Sequence, residues 1–249
     1  MTDPKAIIMC APGTNRDGDA AFALQLAGAT TDRVLIGEIF ANPKILHEAQ
    51  MLVVPGGFSF ADALGAGRLF ALELVTRLAD ELAAFVDAGK PVIGICNGFQ
   101  VLVRTGLLPG GGRRIALGQN APDSPAHGRF LCEWVRLHPT STRSIWTAGL
   151  DADIECPIAH GEGRVACDDA TLAGLEADDL VAFRYTGSNP NGSRNDIAGI
   201  CDETGLVLGL MPHPEDHVLP RQHPQHLRGH RGGLATALFA AGVNHARQT

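Results

Sequence analysis

Four short apolar runs restrict the fold of this chain more than any other feature: AIIMC at 6–10, RVLIGEI at 33–39, MLVVPGG at 51–57 and PVIGIC at 91–96. Runs of that length with glycine or proline at their borders read as buried strands. Between them lie helical patterns, DGDAAFALQLAGA at 17–29, where Asp17 is placed to cap, and RLFALELVTRLADELAAFVDAGK at 68–90, which stops at Gly89 before Pro91. Strands alternating with helices predict an α/β fold, a mainly parallel central sheet flanked by helices. After residue 128 the runs RFLCEWVRLHP, DADIECPIAHGEGRVAC, LVAFRY, DIAGICD and LVLGLMPHP read as further strands, extending the sheet and adding a smaller antiparallel one. The tail at 232–246 has helical composition. With no linker, repeat or low-complexity tract, residues 1–249 read as a single domain.

Composition narrows the function classes. A formal charge of −7 leaves no basic footprint for nucleic acid or an anionic membrane. No window approaches the ~18 apolar residues of a membrane span. The opening MTDPKAIIMC lacks the pattern of a cleavable signal, so a cytoplasmic location is expected. Six cysteines stand at long spacings without a C-x-x-C pair, which argues against disulfides and a structural zinc site. All except Cys96 read as small buried apolar residues.

Cys96 stands at the end of PVIGIC and at the start of NGFQVLVRTG. Active groups of parallel sheets collect beyond the carboxyl ends of strands. The run G-I-C-N-G has the glycine-x-nucleophile-x-glycine spacing of a strand-to-helix elbow. Unpaired amides and the positive dipole end at a helix start favour a thiolate there. The Asn97 amide is placed to face an oxyanion. By itself the elbow leaves a plain buried cysteine in a glycine-flanked turn as an equal alternative.

A base is needed to decide. His213 in GLMPHPEDH follows another apolar run, between two prolines that stiffen the segment, and stands two residues before Glu215. Nucleophile, base and orienting carboxylate make a triad in the order Cys96, His213, Glu215. In VVPGGFSFADALGAG a strand ends in two glycines, and Gly57 is the candidate second oxyanion donor beside Asn97. Removing one such donor costs about 2.7–4 kcal/mol in the barrier.

Together these motifs resemble the class I glutamine amidotransferases of the triad type. PGTNRDGD, PGGFSFADALGAGRLFA, GICNGFQVLVRTGLLPG, AHGEGRVACDD and YTGSNPNGSRNDIAGICDETGLVLGLMPHPE sharpen the resemblance to the phosphoribosylformylglycinamidine synthase subunit I family, over residues 6–216. The resemblance implies that Cys96 attacks the side-chain amide of glutamine, that Gly57 and Asn97 hold the oxyanion, and that His213, oriented by Glu215, serves both thioester formation and hydrolysis. It further implies substrate contacts at Phe58, Gln100 and the loop of His160, Gly161 and Glu162. The chain has no G-x-x-x-x-G-K-[ST] loop and is expected to bind no cofactor of its own. ATP and magnesium would be used by a large synthetase subunit that receives the ammonia, joined by a small accessory subunit.

Where the family continues H-P-E-R, this chain has Asp216 and His217, then VLPRQHPQHLRGHRGG. The change is expected to alter a surface or partner contact and to spare the triad. His217, His223, His226 and His230 are irregularly spaced among prolines and glycines, so they read as a solvated loop, with partner docking next and no metal assigned. NGS at 191–193 reads as a turn rather than a glycosylation site. Two competing functions stay open: a cysteine hydrolase acting on another acyl substrate, and a non-catalytic regulatory subunit.

Overall fold

The computed structural model describes residues 2–121 and 130–249. The strands are β1 (Lys5–Cys10), β2 (Thr30–Leu35), β3 (Met51–Val54), β4 (Val92–Ile95), β5 (Ala116–Gln119), β6 (Leu131–Pro139), β7 (Ile154–His160), β8 (Glu162–Ala166), β9 (Val181–Thr186), β10 (Ile197–Cys201) and β11 (Val207–Leu210). The helices are α1 (Asp17–Leu26), α2 (Ile36–Ala41), α3 (Lys44–His47), α4 (Arg68–Arg77), α5 (Ala79–Asp87), α6 (Asn97–Thr105), α7 (Asp169–Ala177) and α8 (Thr236–Ala246).

Nine strands form one sheet in the order β2-β1-β3-β4-β11-β10-β9-β6-β7, and β5 pairs with β8 in a small antiparallel one. The first five are mutually parallel, and from β11 to β7 each neighbour is antiparallel. The expected architecture is therefore present. Strands β1, β3, β4 and β11 are buried almost throughout, as strands covered on both faces must be.

Several boundaries differ from the sequence reading for identifiable reasons. RVLIGEI is half strand and half helix, because the Glu38 side chain accepts the Leu35 N–H at 3.2 Å and starts α2 at Ile36. Asp17 is the first residue of α1 rather than its cap, and it pairs with Arg33 on β2. The long helix at 68–90 is two helices kinked at Leu78. Its buried residues Phe70, Leu74, Leu78 and Leu82 recur every four positions. That spacing outruns the 3.6-residue turn by about 40° per step, and the kink realigns the stripe with the core. DADIECPIAHGEGRVAC is two strands broken at Gly161. Arg129, the first residue of the expected RFLCEWVRLHP strand, lies outside the described residues, and that strand runs from Leu131.

All six cysteines are free, and Cys10, Cys96, Cys156 and Cys201 are buried. The expectation of burial fails at Cys132, which is exposed, and at Cys167, which is half-buried. Cys132 sits on β6, whose residues alternate between core and solvent, so its face is set by the pleat rather than by its chemistry. Asn191 of the NGS segment is buried, and its Oδ1 accepts the Ser193 N–H at 3.1 Å and hydroxyl at 2.8 Å, a local turn.

Candidate active site

Three neighbouring parallel strands, β3, β4 and β11, end on the same edge of the sheet, and each hands over one part of the site. β3 leads into Gly56 and Gly57, β4 into Cys96, and β11 into His213.

Cys96 caps α6 with φ +51° and ψ −104°, a left-handed conformation for a residue with a side chain. Such a residue costs on the order of 1–3 kcal/mol and persists only when its surroundings hold it. The flanking glycines show how. A side chain at Gly94 would come within 2.7 Å of the Gly98 carbonyl, and one at Gly98 within 1.8 Å of the Val54 carbonyl. The first turn of α6 thus lies directly on β3 and β4, and the G-x-C-x-G spacing is a packing requirement. Phe99, wholly buried on α6, anchors the turn, and truncating such a side chain costs about 3–5 kcal/mol.

His213 and Glu215 are almost wholly buried, with Nδ1 and Oε1 2.7 Å apart. Burial works against an imidazolium at His213, but the Glu215 carboxylate and then Cys96, by charge and by hydrogen bond, outweigh it, and the group is raised well above the ordinary histidine range. The ring is hemmed in on the opposite side by Gly56, where a Cβ would lie 2.8 Å from Cε1. The backbone N–H of His213 donates to the Pro157 carbonyl at 2.8 Å, so the sheet curls far enough for β7 to support the base.

A cavity of about 220 Å³ opens at Cys96, lined also by Gly57, Phe58, Gln100 and the His160–Glu162 loop. Drug-sized ligands occupy upwards of ~300 Å³, so this space suits a single amino acid. Of the sequence-derived site residues, His213 and Glu215 lie behind this lining and do not form part of it, and the Asn97 side chain is turned into the protein beside it. Asn97 Oδ1 accepts the Ser59 hydroxyl at 2.6 Å, and its Nδ2 donates to Asp62 at 3.2 Å and to Gln100 Oε1 at 3.1 Å. Gln100 in turn donates from Nε2 to the Glu162 carbonyl at 2.5 Å. Both ends of the Gln100 amide are engaged by protein, and what it does here is hold the 160–163 loop over the nucleophile. Phe58, 47% exposed, stands at the rim.

His160 is the second imidazole of the cavity. Burial, followed by the charge of His213, lowers it to about 3, so the ring is neutral. Its Nδ1 lies 3.2 Å from Asn120 Oδ1, and Asn120 donates back to the His160 carbonyl at 2.8 Å.

Sequence reasoning missed Asp62 and Arg16. Asp62 lines the cavity, and burial raises its carboxyl above the usual range. A lone acid inside the apolar, glycine-rich FSFADALGAG run was the available signal. Arg16 lies 3.6 Å from Asp216, the residue standing where the resemblance expects arginine. The Asp216 side chain is only 18% exposed, so this departure falls beside Glu215 rather than on an open surface. The histidine-rich segment also differs from the solvated loop expected: His217 and His223 are buried, and both rings pack edge-on against Trp134.

Residues 3–246 match the model of the CobB/CobQ-like glutamine amidotransferase domain. The chain is 46% identical to phosphoribosylformylglycinamidine synthase subunit PurQ of Treponema denticola, over 97% of this chain and 98% of the relative. It belongs to the PurQ family of glutamine amidotransferases. The PurQ subunit of Dehalococcoides mccartyi is 40% identical over the full length of both chains. Among solved structures, a chain of PurLQS from Thermotoga maritima superposes with a TM-score of 0.76 at 32% identity, covering 98% of this chain and 99% of that one.

Proposed function

We propose that this chain is the glutaminase subunit of phosphoribosylformylglycinamidine synthase, hydrolysing glutamine through a thioester at Cys96 and passing the ammonia to a synthetase subunit in purine biosynthesis. The observation that carries the reading is the strained Cys96 at the mouth of an amino-acid-sized cavity, next to a buried His213 that Glu215 holds at 2.7 Å. The Cys96 sulfur, its proton already taken by the raised His213 imidazole, attacks the side-chain amide carbon. The tetrahedral oxyanion is met by the amides of Gly57 and Asn97, and His213 returns the proton to the departing ammonia. Water, deprotonated by the same imidazole, then cleaves the thioester to glutamate and frees the thiol. Asp62 and Glu162 line the cavity and supply negative charge suited to the ammonium of the amino-acid end. His160, neutral, adds no positive charge to repel it.

The partners in this reading are a large synthetase subunit, which uses ATP and magnesium to convert formylglycinamide ribonucleotide to its amidine, and a small accessory subunit. Full-length similarity to a chain of PurLQS supports them. Residues 1–249 act as one domain, since a single sheet takes strands from both halves of the chain. Among the described residues no helix is long and apolar enough to cross a membrane, which is compatible with the cytoplasm as the site of action.

The test is glutamine-dependent amidine formation in the assembled complex. Cys96→Ala is expected to lose turnover with glutamine and to retain it with added ammonia. Equal rates with glutamine in parent and variant would reject the nucleophile. Activity on peptides but none on glutamine would favour the general cysteine hydrolase. Failure of a glutamine-like electrophile to label Cys96 even in the complex would favour the regulatory subunit.

A further inference from the structure

The buried histidines behind the triad gather around one carboxylate. Glu155, near the start of β7, has Oε1 held by Arg136 at 2.9 Å, which aims Oε2 away from solvent. That Oε2 lies 2.7 Å from His230 Nε2 and 3.7 Å from His223 Nε2. Glu155 Oε2 and His230 Nε2 are shielded from solvent, yet neither makes a hydrogen bond, because the close approach of the pair lacks hydrogen-bond alignment. One donor atom from each of Glu155, His223 and His230 falls within 4.8 Å of the others. The Trp134 ring walls the group, 4.4 Å from the His223 ring. An adjoining cavity of about 380 Å³, lined in part by Thr186 and Ser188, leaves one side open.

We propose that Glu155, His223 and His230 bind one divalent transition-metal ion of the zinc class, with a further coordination position facing that cavity. Two imidazoles and a carboxylate are a donor set such ions favour, and three protein ligands with an open position are a recurring zinc arrangement. Two adjustments accompany binding. Donors on one tetrahedral ion stand about 3.4 Å apart at zinc–ligand distances of about 2.1 Å, so His230 swings outward. Gly229 before it and Gly232 after it, both in open space, give the backbone that freedom. His223 Nδ1 now accepts the Gln225 N–H at 3.1 Å, which places the ring proton on Nε2. Metal binding shifts that proton to Nδ1 and gives up this one neutral hydrogen bond. The ion would fasten the 217–230 segment to β7, whose Glu155 carbonyl already accepts from His217 Nδ1 at 2.6 Å, at the end of the turn that begins with Pro214 and Glu215.

The full chain, stripped with chelator, is titrated with zinc by calorimetry and with cobalt by visible absorption. One equivalent per chain is expected. His230→Ala and Glu155→Gln are each expected to weaken zinc binding at least tenfold, whereas His226→Ala leaves it unchanged. His230 is partly exposed, so its variant is expected to fold, and circular dichroism checks this. Zinc at a hundredfold excess over the parent's Kd should raise the parent Tm by about 5–10 °C and that of His230→Ala by about half as much or less. Zinc uptake by the parent no greater than by the His230→Ala, Glu155→Gln double variant, or lost equally in His226→Ala, would overturn the site. Glutamine hydrolysis takes no part in this test, so its outcome is separate from that of the proposed function.

Discussion

Two histidine–carboxylate groupings pack against β7, and they are built in different ways. In the triad, His213 and Glu215 are two residues apart on one turn, both nearly sealed from solvent, and the carboxylate together with Cys96 raises the imidazole. In the second grouping, Glu155 meets His223 and His230 from a distant segment. There burial, then the neighbouring His230 and His217, lower His223 despite Glu155. A carboxylate beside a histidine therefore does not define its chemistry. One carboxylate devoted to a single imidazole makes a base poised for protonation, whereas one carboxylate shared between two neighbouring rings leaves His223 lowered.

The largest expected effect separates the groupings directly. Glu215→Gln, which retains size but loses the charge that raises His213, should lower glutamine-dependent kcat by about 10³–10⁴-fold, with ammonia-dependent turnover of the complex preserved. A loss of both would mean that the substitution damages assembly instead. Next in size, Gly56→Ala drives a methyl into the His213 ring, and a displacement of that kind costs about 10²-fold in kcat. Steady-state kinetics beside an unchanged circular dichroism spectrum checks it. His230→Ala, in the second grouping, should leave glutamine kcat within about twofold without added zinc; a triad-sized loss would erase the distinction between the two.

The last effect is on stability rather than rate and concerns Asp216. Burial, then the Glu215 charge, raise its carboxyl to about 6 from 3.8, against the pull of His213 and Arg16. A carboxylic acid raised by folding contributes stability that is present below its unfolded pKa and lost as pH rises through the folded one. The full shift corresponds to roughly 3 kcal/mol, and partial exposure reduces it. Urea unfolding should therefore show the parent losing about 1–2 kcal/mol relative to Asp216→Asn between pH 4.5 and 7.5. A difference that is flat with pH would assign the group to ordinary solvent.

The triad was legible because its parts are local. G-x-C-x-G and H-P-E each complete their geometry within five residues, and the glycine pair marks the close approach of a third strand end. The side-chain partners of Gln100 and Asn97 were not legible, since Glu162, Ser59 and Asp62, which engage them, come from other elements. The helix break at Leu78 and the change from strand to helix at Ile36 escaped for a related reason: a mismatch of stripe and helical turn, and a single Glu38 contact, decide each one.

The sequence by itself determined the alternation of strands and helices, and with it the sheet edge where chemistry collects, because apolar periodicity and glycine borders act over a few residues. Only the tertiary structure decided what the histidine-rich segment becomes. Its irregular spacing carries no local signal, and burial against Trp134 and Glu155 depends on contacts between residues more than sixty positions apart. Such contacts are fixed by how the curled sheet closes rather than by any neighbour in the chain.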